Sequence, residues 1–521
     1  MRRTIEFVAA MHDNGVRLWV DCGKLHCRAA KGSLSFWQLE TLRELKEDII
    51  ALLSPVQSCG PDALSISSTG LLDTMPLSLQ QERTWRYFDK NASEDITIHW
   101  INSAWRLRGA LKVDALQKAF DVMLRRHQSL RTSIVLAAGI PRQKIAEPGS
   151  ARLDILQMEI DAFKKTNAEI SQFIRSHFNQ QRLSESCLFE AILLRGSEND
   201  HTLIIAISHF VSDGISIAIF FDELWVLYRE FLTHDRCSSP EMRKQYVDYA
   251  IWQRRRQSYW LESQDSYWKR RLAGAEPVRL PVDSGLEHEK TLTVAGLEVS
   301  FGESLSSSLR NLSRKLRSTL ERVLLSIYIS LLASWSGQRK FVVGLIVDGR
   351  VRSEYARIIG YFSHSAPLMV ELEGNESFMD LLQSVSNELL ATQDNLESYQ
   401  HLALDALNSG DIYSVNRTSR FNWLPGCPGE SVVISRSSEC EEDDKCLTMQ
   451  ALPMEGVSLK RECELELMFS DSPRGICAYG QYRADLFRRD TMQRLYNEFR
   501  CIAEHVVRNP RSRVLGLVRA V

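Results

Sequence analysis

At 521 residues the chain is too long for one simple core, and two or three folded units are expected. Its formal net charge of -2 excludes the global positive field of a nucleic-acid-binding protein, and its 44% apolar and 25% charged residues are those of an ordinary globular chain. The eleven Cys include no CxxC pair, the first residues lack the apolar run of a signal peptide, and no apolar stretch reaches membrane-span length, so neither a metal site, a disulfide framework nor a membrane anchor is expected, and a cytoplasmic setting fits.

The first 54 residues read as a unit of helix, hairpin and helix. Ile5, Val8, Ala9 and His12 recur at helical spacing up to Asp13. Val16, Leu18 and Val20 then alternate with Arg17, Trp19 and Asp21, Cys22-Gly23 is a two-residue turn signal, and Lys24 to Arg28 alternates again. A second helix is capped at Ser33 or Ser35 and runs to about Leu53, with Leu39, Leu42, Leu45, Ile49 and Leu52 as its stripe. Residues 55–74 are rich in Ser, Pro and Gly and read as a flexible linker.

The remainder alternates strands and helices in the manner of a layered α/β protein. Val113 to His127 is an amphipathic helix with Leu116, Phe120, Met123 and Leu124 on one face. Leu203 to Ile207 is a short apolar run, expected as a buried strand, and a helix follows Gly214. Further on, residues 307–337 read as two helices and Lys340 to Arg350 as the strand after them; the acidic stretch near 435–446 reads as an exposed loop. A last helix covers Arg489 to Val507.

One stretch carries the chemistry: Ile207-Ser208-His209-Phe210-Val211-Ser212-Asp213-Gly214. A buried strand ends, a polar loop follows, and Ser212 or Asp213 can cap the next helix. His209 sits in that loop, where a rigid strand can hold an imidazole that handles a proton near neutral pH. On chemistry alone, a histidine before a helix is more often structural, and Asp213 more often a cap.

The same stretch resembles the HHxxxDG motif of nonribosomal-peptide-synthetase condensation domains, with the second His at His209 and Asp-Gly at Asp213-Gly214. Further segments resemble that family in the same order. They are Pro76 to Trp85 (LSxxQxRxW), Arg126 to Thr132 (RHExLRT), Tyr246 to Trp252 (YxDYAxW), Ile359 to Leu368 (IGxFxNTxPL) and Tyr482 to Phe487 (YxxDLF). The resemblance implies an α/β fold of two chloramphenicol-acetyltransferase-like lobes in a V-shaped pseudo-dimer, with residues 75–250 as the N-terminal and 251–521 as the C-terminal lobe. It implies that His209 serves catalysis, as base or as positioning group, while Ser208, Asp213, Gly214 and Arg350 shape the site, Asp213 through an ion pair with Arg350. Three positions depart from the pattern: Ser208 replaces the first motif His, His364 the usual Asn and Met369 the usual Arg. His364 and Met369 are the expected tunnel-lining residues.

Residues 1–54 resemble the TubC-type β-hairpin docking domains of megasynthases; the plainer alternative is a small cap on the main domain. Arg17, Lys24, His26 and Arg28 mark the hairpin as a strand edge for an acidic, extended peptide. The resemblance implies as partners an upstream carrier protein and its C-terminal docking peptide, with no cofactor of the chain's own and substrates carried on phosphopantetheine. No adenylation or carrier segment follows the last helix, so an acyl chain received in trans is expected. The activity implied is amide or ester formation with an amine or hydroxyl acceptor, in chain elongation or release. A catalytically inactive recruitment platform is the competing expectation.

Overall fold

The computed structural model describes residues 17–21, 24–28, 41–42, 45–46, 74–90, 100–137, 139–148, 156–159, 167–178, 188–234, 237, 242–283, 294–350, 352–399, 418–424, 432–435, 447–452, 463–472 and 475–516. The chain divides into two compact units, Met1–Leu72 and Asp73–Val521.

In the first unit, β1 (Arg17–Asp21) and β2 (Lys24–Arg28) pair antiparallel, with Arg17 opposite Arg28, Trp19 opposite His26 and Asp21 opposite Lys24. The Asp21–Lys24 pairing leaves two residues for the turn, as the X-Gly signal requires. The helix expected before the hairpin lies outside the described residues. Of the helix after it, a turn is described in which Leu45 N donates to Thr41 O at 2.9 Å and Leu42 is buried.

Among the described residues, the second unit has two six-stranded sheets and one of three strands. The small sheet joins β3 (Thr74–Pro76), β5 (Thr132–Ala137) and β6 (Ile140–Ile145). Thr74, the last residue of the expected linker, is therefore already a strand residue, paired with Lys144.

The first large sheet is built on β4 (Trp100–Arg108), β7 (Leu156–Glu159), β8 (Phe189–Ser197) and β9 (Asp200–Ser208). Strand β9 lies between β4 and β8, antiparallel to both, and is buried continuously from Leu203 to Ser208. Its unbroken apolar run follows from this central place, where both faces are covered. Helices α1 (Leu79–Lys90), α2 (Val113–Arg126), α3 (Asn167–Phe178) and α4 (Gly214–Thr233) belong to this half of the chain. The stripe of α2, Leu116, Phe120, Met123 and Leu124, is buried in one cluster with Phe220 and Leu224 of α4 and with β9. Each such large apolar side chain contributes about 1.5–3 kcal/mol by leaving water.

The second large sheet takes β10 (Val294–Ser300), β11 (Lys340–Asp348), β12 (Ser363–Glu371), β13 (Ser419–Leu424), β16 (Leu465–Ser472) and β17 (Gly475–Arg483), ordered 10-17-16-13-11-12. Helices α6 (Gly302–Lys315), α7 (Leu320–Ser336), α8 (Phe378–Asp394) and α9 (Arg489–Arg508) share one apolar core with it. Helix α5 (Tyr246–Arg271) runs through the boundary expected at residue 250.

A single cut at 250 does not separate the two sheets. Strands β14 (Val432–Ser435) and β15 (Leu447–Ala451) come from the later half, yet β15 pairs with β4, from Thr448 opposite Arg108 to Ala451 opposite Trp105. The pairing covers the edge that β4 would otherwise expose. The acidic stretch expected as an exposed loop lies between these two strands, at 436–446, outside the described residues. Among the described residues no helix is long and apolar enough to cross a membrane, and no cluster of three or more His, Cys, Asp or Glu could hold a metal.

Candidate active site

Strand β9 ends at Ser208, whose N–H donates to Leu188 O at 2.8 Å. The chain then turns tightly: Val211 N donates to Ser208 O at 3.0 Å, as does Ser212 Oγ at 3.0 Å. Ser208 is fully buried, and its hydroxyl accepts from Phe210 N at 3.3 Å. From α1, Gln81 Nε2 donates to Phe210 O at 2.7 Å and to Gln143 Oε1 at 3.1 Å. The loop is thus held from below by the strand and from the side by the opening segment of the body.

On that loop the His209 ring is half-buried and tilted against Tyr361, with centroids 4.4 Å apart. Its Nδ1 lies 2.9 Å from Ser212 O. A carbonyl oxygen only accepts, so Nδ1 carries the proton and the basic lone pair of the neutral ring is at Nε2. The Tyr361 hydroxyl lies 3.4 Å from Thr84 Oγ1 of α1.

Asp213 closes the loop as the N-cap of α4. Its carboxylate, 1% exposed, meets six donors. They are Ser216 N and Oγ at 2.8 Å each, Arg350 Nη1 at 3.0 Å and Nη2 at 2.9 Å, Phe362 N at 2.9 Å and Ser363 N at 3.1 Å. Arg350 also donates to Asp348 Oδ1 at 2.9 Å and to Ile358 O at 3.2 Å, and stacks over Phe362 at 4.4 Å. Burial works against the Arg350 charge, but Asp213 and Asp348 outweigh it and raise its pKa above the usual arginine value. Asp348 is itself pushed upward by burial. This bidentate pair ties the His209 loop to the 348–363 stretch. A Cβ on Gly214 would come within 2.9 Å of Leu424 Cδ2, so this end of β13 packs against bare backbone.

His364 is fully buried and belongs to a second polar cluster. Its Nε2 lies 2.8 Å from Gln80 Nε2 and 3.1 Å from the Tyr249 hydroxyl. Tyr249 OH is 3.2 Å from Glu397 Oε1, and Gln253 Nε2 donates to Glu397 Oε2 at 2.6 Å. Burial, helped by Arg83 and opposed by Asp213, holds the His364 pKa down to about 3. Burial pushes the Glu397 carboxyl up to about 7. Met369, the other expected tunnel residue, is enclosed with Trp268, Leu272, Ala275, Val342 and Tyr399.

The structure therefore brings together Ser208, His209, Asp213, Gly214 and Arg350, sets His364 in an adjoining cluster and places Met369 in an apolar one. Arg17, Lys24, His26 and Arg28 lie on the hairpin of the other unit. Gln81, Tyr249 and Tyr361 stand inside the motif segments, but their roles emerge only from their contacts. Nothing in the sequence marks Gln80, Gln253 or Glu397.

Two sheet-and-helix lobes meeting at a loop-borne histidine define a protein of the two-lobed α/β acyltransferase class. Residues 72–517 match the family described as condensation domain, and the chain belongs to that family, whose chemistry is amide or ester formation on biosynthetic assembly lines. Residues 5–54 match the TubC N-terminal docking domain. A component of linear gramicidin synthase from Brevibacillus parabrevis is 28% identical over 464 residues, 87% of this chain and 9% of that protein. Surfactin synthase subunit 1 of Bacillus subtilis (strain 168) is 28% identical over 460 residues, 87% of this chain and 12% of that one. The chain thus spans about a tenth of the length of these relatives. Among solved structures, the X-domain from teicoplanin biosynthesis superposes with a TM-score of 0.67 at 20% identity, covering 85% of this chain and 97% of that one. The SgcC5 protein from Streptomyces globisporus, in complex with (R)-(-)-1-(2-naphthyl)-1,2-ethanediol, gives 0.62 at 21% identity, covering 84% and 100%.

Proposed function

We propose that this chain is a cytoplasmic enzyme that joins an acyl group, delivered as a thioester on the phosphopantetheine of a separate carrier protein, to an amine or hydroxyl acceptor. The observation that carries this reading is the His209 tautomer. With Nδ1–H committed to Ser212 O, Nε2 is the nitrogen that can take or hold the acceptor's proton. The acceptor attacks the thioester carbonyl, the C–S bond breaks, and the thiol leaves with a proton. A thioester is already activated, so alignment supplies much of the acceleration. The diol in the SgcC5 complex favours keeping hydroxyl acceptors beside amines.

The hairpin unit recruits the carrier by adding an acidic C-terminal peptide of an upstream synthase as a further strand, with Arg17, Lys24, His26 and Arg28 as the charged edge. Tethering raises effective concentration without changing the site. Removing residues 1–72 should weaken transfer at low carrier concentration and leave it recoverable at high concentration. In the full chain, binding of the peptide should weaken with rising salt and in Arg28→Glu; salt-independent binding rejects this edge.

Intact-protein mass spectrometry of an acyl-loaded carrier mixed with this protein and candidate acceptors tests the reading directly. Loss of the acyl mass with gain of product supports it. Carrier binding without transfer for any amine or alcohol favours the second reading, a recruitment platform. That alternative draws on Ser208 in the motif and on the likeness to an X-domain solved as a complex with OxyB.

A further inference from the structure

Arg420 stands on β13, the strand between β11 and β16, and alternation fixes the face it occupies. Its neighbours Ser419 and Phe421 face the helix-covered core: the Ser419 hydroxyl lies 2.5 Å from Tyr328 OH on α7, and the Phe421 ring stacks on Phe469. Successive strand residues point to opposite faces, so Arg420, Asn422 and Leu424 share the other one. That is the face toward the His209 loop. Leu424 reaches Gly214, and Tyr361, whose ring packs on His209, acts electrostatically on Arg420. From Leu424 back to Arg420 is about 13 Å of strand. Across from Arg420 on β11 is Gly344, which puts no side chain on that face.

The guanidinium is held in place but not satisfied. Glu466, opposite it on β16, lies 4.0 Å away, beyond hydrogen-bond reach, and is its single ion-pair partner among the described residues. Glu466 is itself buried, and its Oε1 already accepts from Asn422 Nδ2 at 3.3 Å. Arg420 Nε has no hydrogen-bond partner. Yet 23% of the Arg420 side chain is open to solvent, so a solute can reach it. Arg350 is the contrast: 3% exposed, with both Nη atoms donating to Asp213 and Nη1 to Asp348 as well. Burial opposes the Arg420 charge, but Cys463, Glu466, Tyr361 and Tyr399 outweigh it and the group stays a cation. A guanidinium carries five N–H donors in a fork that fits the two oxygens of a carboxylate.

We propose that Arg420 is a specificity residue that binds a carboxylate on the substrate, carried several bonds from the atom that reacts at His209. Two N–H groups of the fork meet the two carboxylate oxygens. A carboxamide loses one of those bonds and the charge, and an apolar end leaves the guanidinium as unsatisfied as before. The buried Glu466 alongside favours a single negative charge over a phosphate dianion, because it repels each added charge in a medium of low dielectric. That the carboxylate belongs to a substrate rests on the acyl-transfer reading; the anion site itself does not.

Full-length protein is titrated calorimetrically with 8-aminooctanoate and 8-aminooctanamide, which share an amine and a chain and differ in the end group. The acid should bind at least tenfold more tightly than the amide. Arg420→Gln combined with Glu466→Gln, which removes both charges of the pair together, should bind the two equally. Arg420→Lys keeps a point charge without the fork and should keep a reduced preference. Equal affinities in the wild-type protein overturn the site without recourse to any variant, and a preference that survives in the double variant overturns it as well. A second arm compares 4′-phosphopantetheine with pantetheine: an Arg420-dependent gain there, with none for the acid, gives the cation to the carrier arm and overturns the carboxylate. Acyl transfer followed in the same preparation fails separately. Transfer to octylamine without an acid preference in binding rejects the Arg420 site alone, and an acid preference without transfer to any amine or alcohol rejects the acyl-transfer reading alone.

Discussion

Two buried polar clusters lie side by side where the halves of the body meet, and they are built on opposite terms. Around Asp213 and Arg350 the groups are charged and densely paired: six donors converge on one carboxylate. Around His364 and Glu397 burial keeps both groups toward their neutral forms, and among the described residues Gln80 Oε1 and His364 Nδ1 have no hydrogen-bond partner. A saturated cluster has no capacity for a ligand; it fixes geometry. His209 stands on the loop that the first cluster holds and beside the tyrosine that leads, through Thr84 and α1, to the second.

The largest expected effect is on the saturated side. Asp213→Ala strands the buried Arg350 guanidinium and should lower stability by about 3–5 kcal/mol in urea unfolding, with activity falling alongside. A variant of wild-type stability that is inactive would make Asp213 a chemical participant and remove the contrast. Next comes His209, half-buried on the loop that the first cluster holds. His209→Ala should reduce transfer by about 10²–10⁴-fold while leaving the melting temperature and carrier binding unchanged. Turnover equal to wild type, after subtraction of the uncatalysed rate, would refute the catalytic assignment.

Glu397 sharpens the comparison through pH. Its folded pKa, about 7, is raised by burial above the unfolded value near 4.5. Below pH about 4.5 the carboxyl is neutral in both states and its contribution is fully present. As pH rises toward 7 the unfolded chain ionises while the folded one resists, so stability falls, by up to about 3 kcal/mol across the interval. Denaturation series at several pH values should show that slope in wild type and a flatter one in Glu397→Gln. The smallest effect belongs to Ser208. Ser208→Ala loses one hydrogen bond, from Phe210 N, and should cost about 0.5–1.5 kcal/mol with transfer retained. An inactive Ser208→Ala would demand a nucleophilic role for that hydroxyl.

Much of this molecule is legible as local pattern. The hairpin at 17–28, the stripe of α2, the apolar run of β9, the Asp213 cap and the last helix each follow from residues a few positions apart, because side-chain period decides which face can be buried. The motif loop is legible in the same way, as a polar turn between a buried strand and a helix start. Even the Asp213–Arg350 pair, 137 residues apart, can be anticipated, but only by resemblance to a family and not from spacing.

What the tertiary structure alone decided is which distant segments share a neighbourhood. It moved β14 and β15 across to the edge of β4, and it packed Met369 in an apolar cluster with Trp268 and Tyr399. It also brought Gln80 to His364, 284 residues away, and Tyr249 to Glu397, 148 away. Apolar periodicity says that a position is buried without naming what covers it. The partner of a buried polar atom, and whether it has one, depends on atoms contributed by several segments at once, and those meet only when the sheets and helices pack.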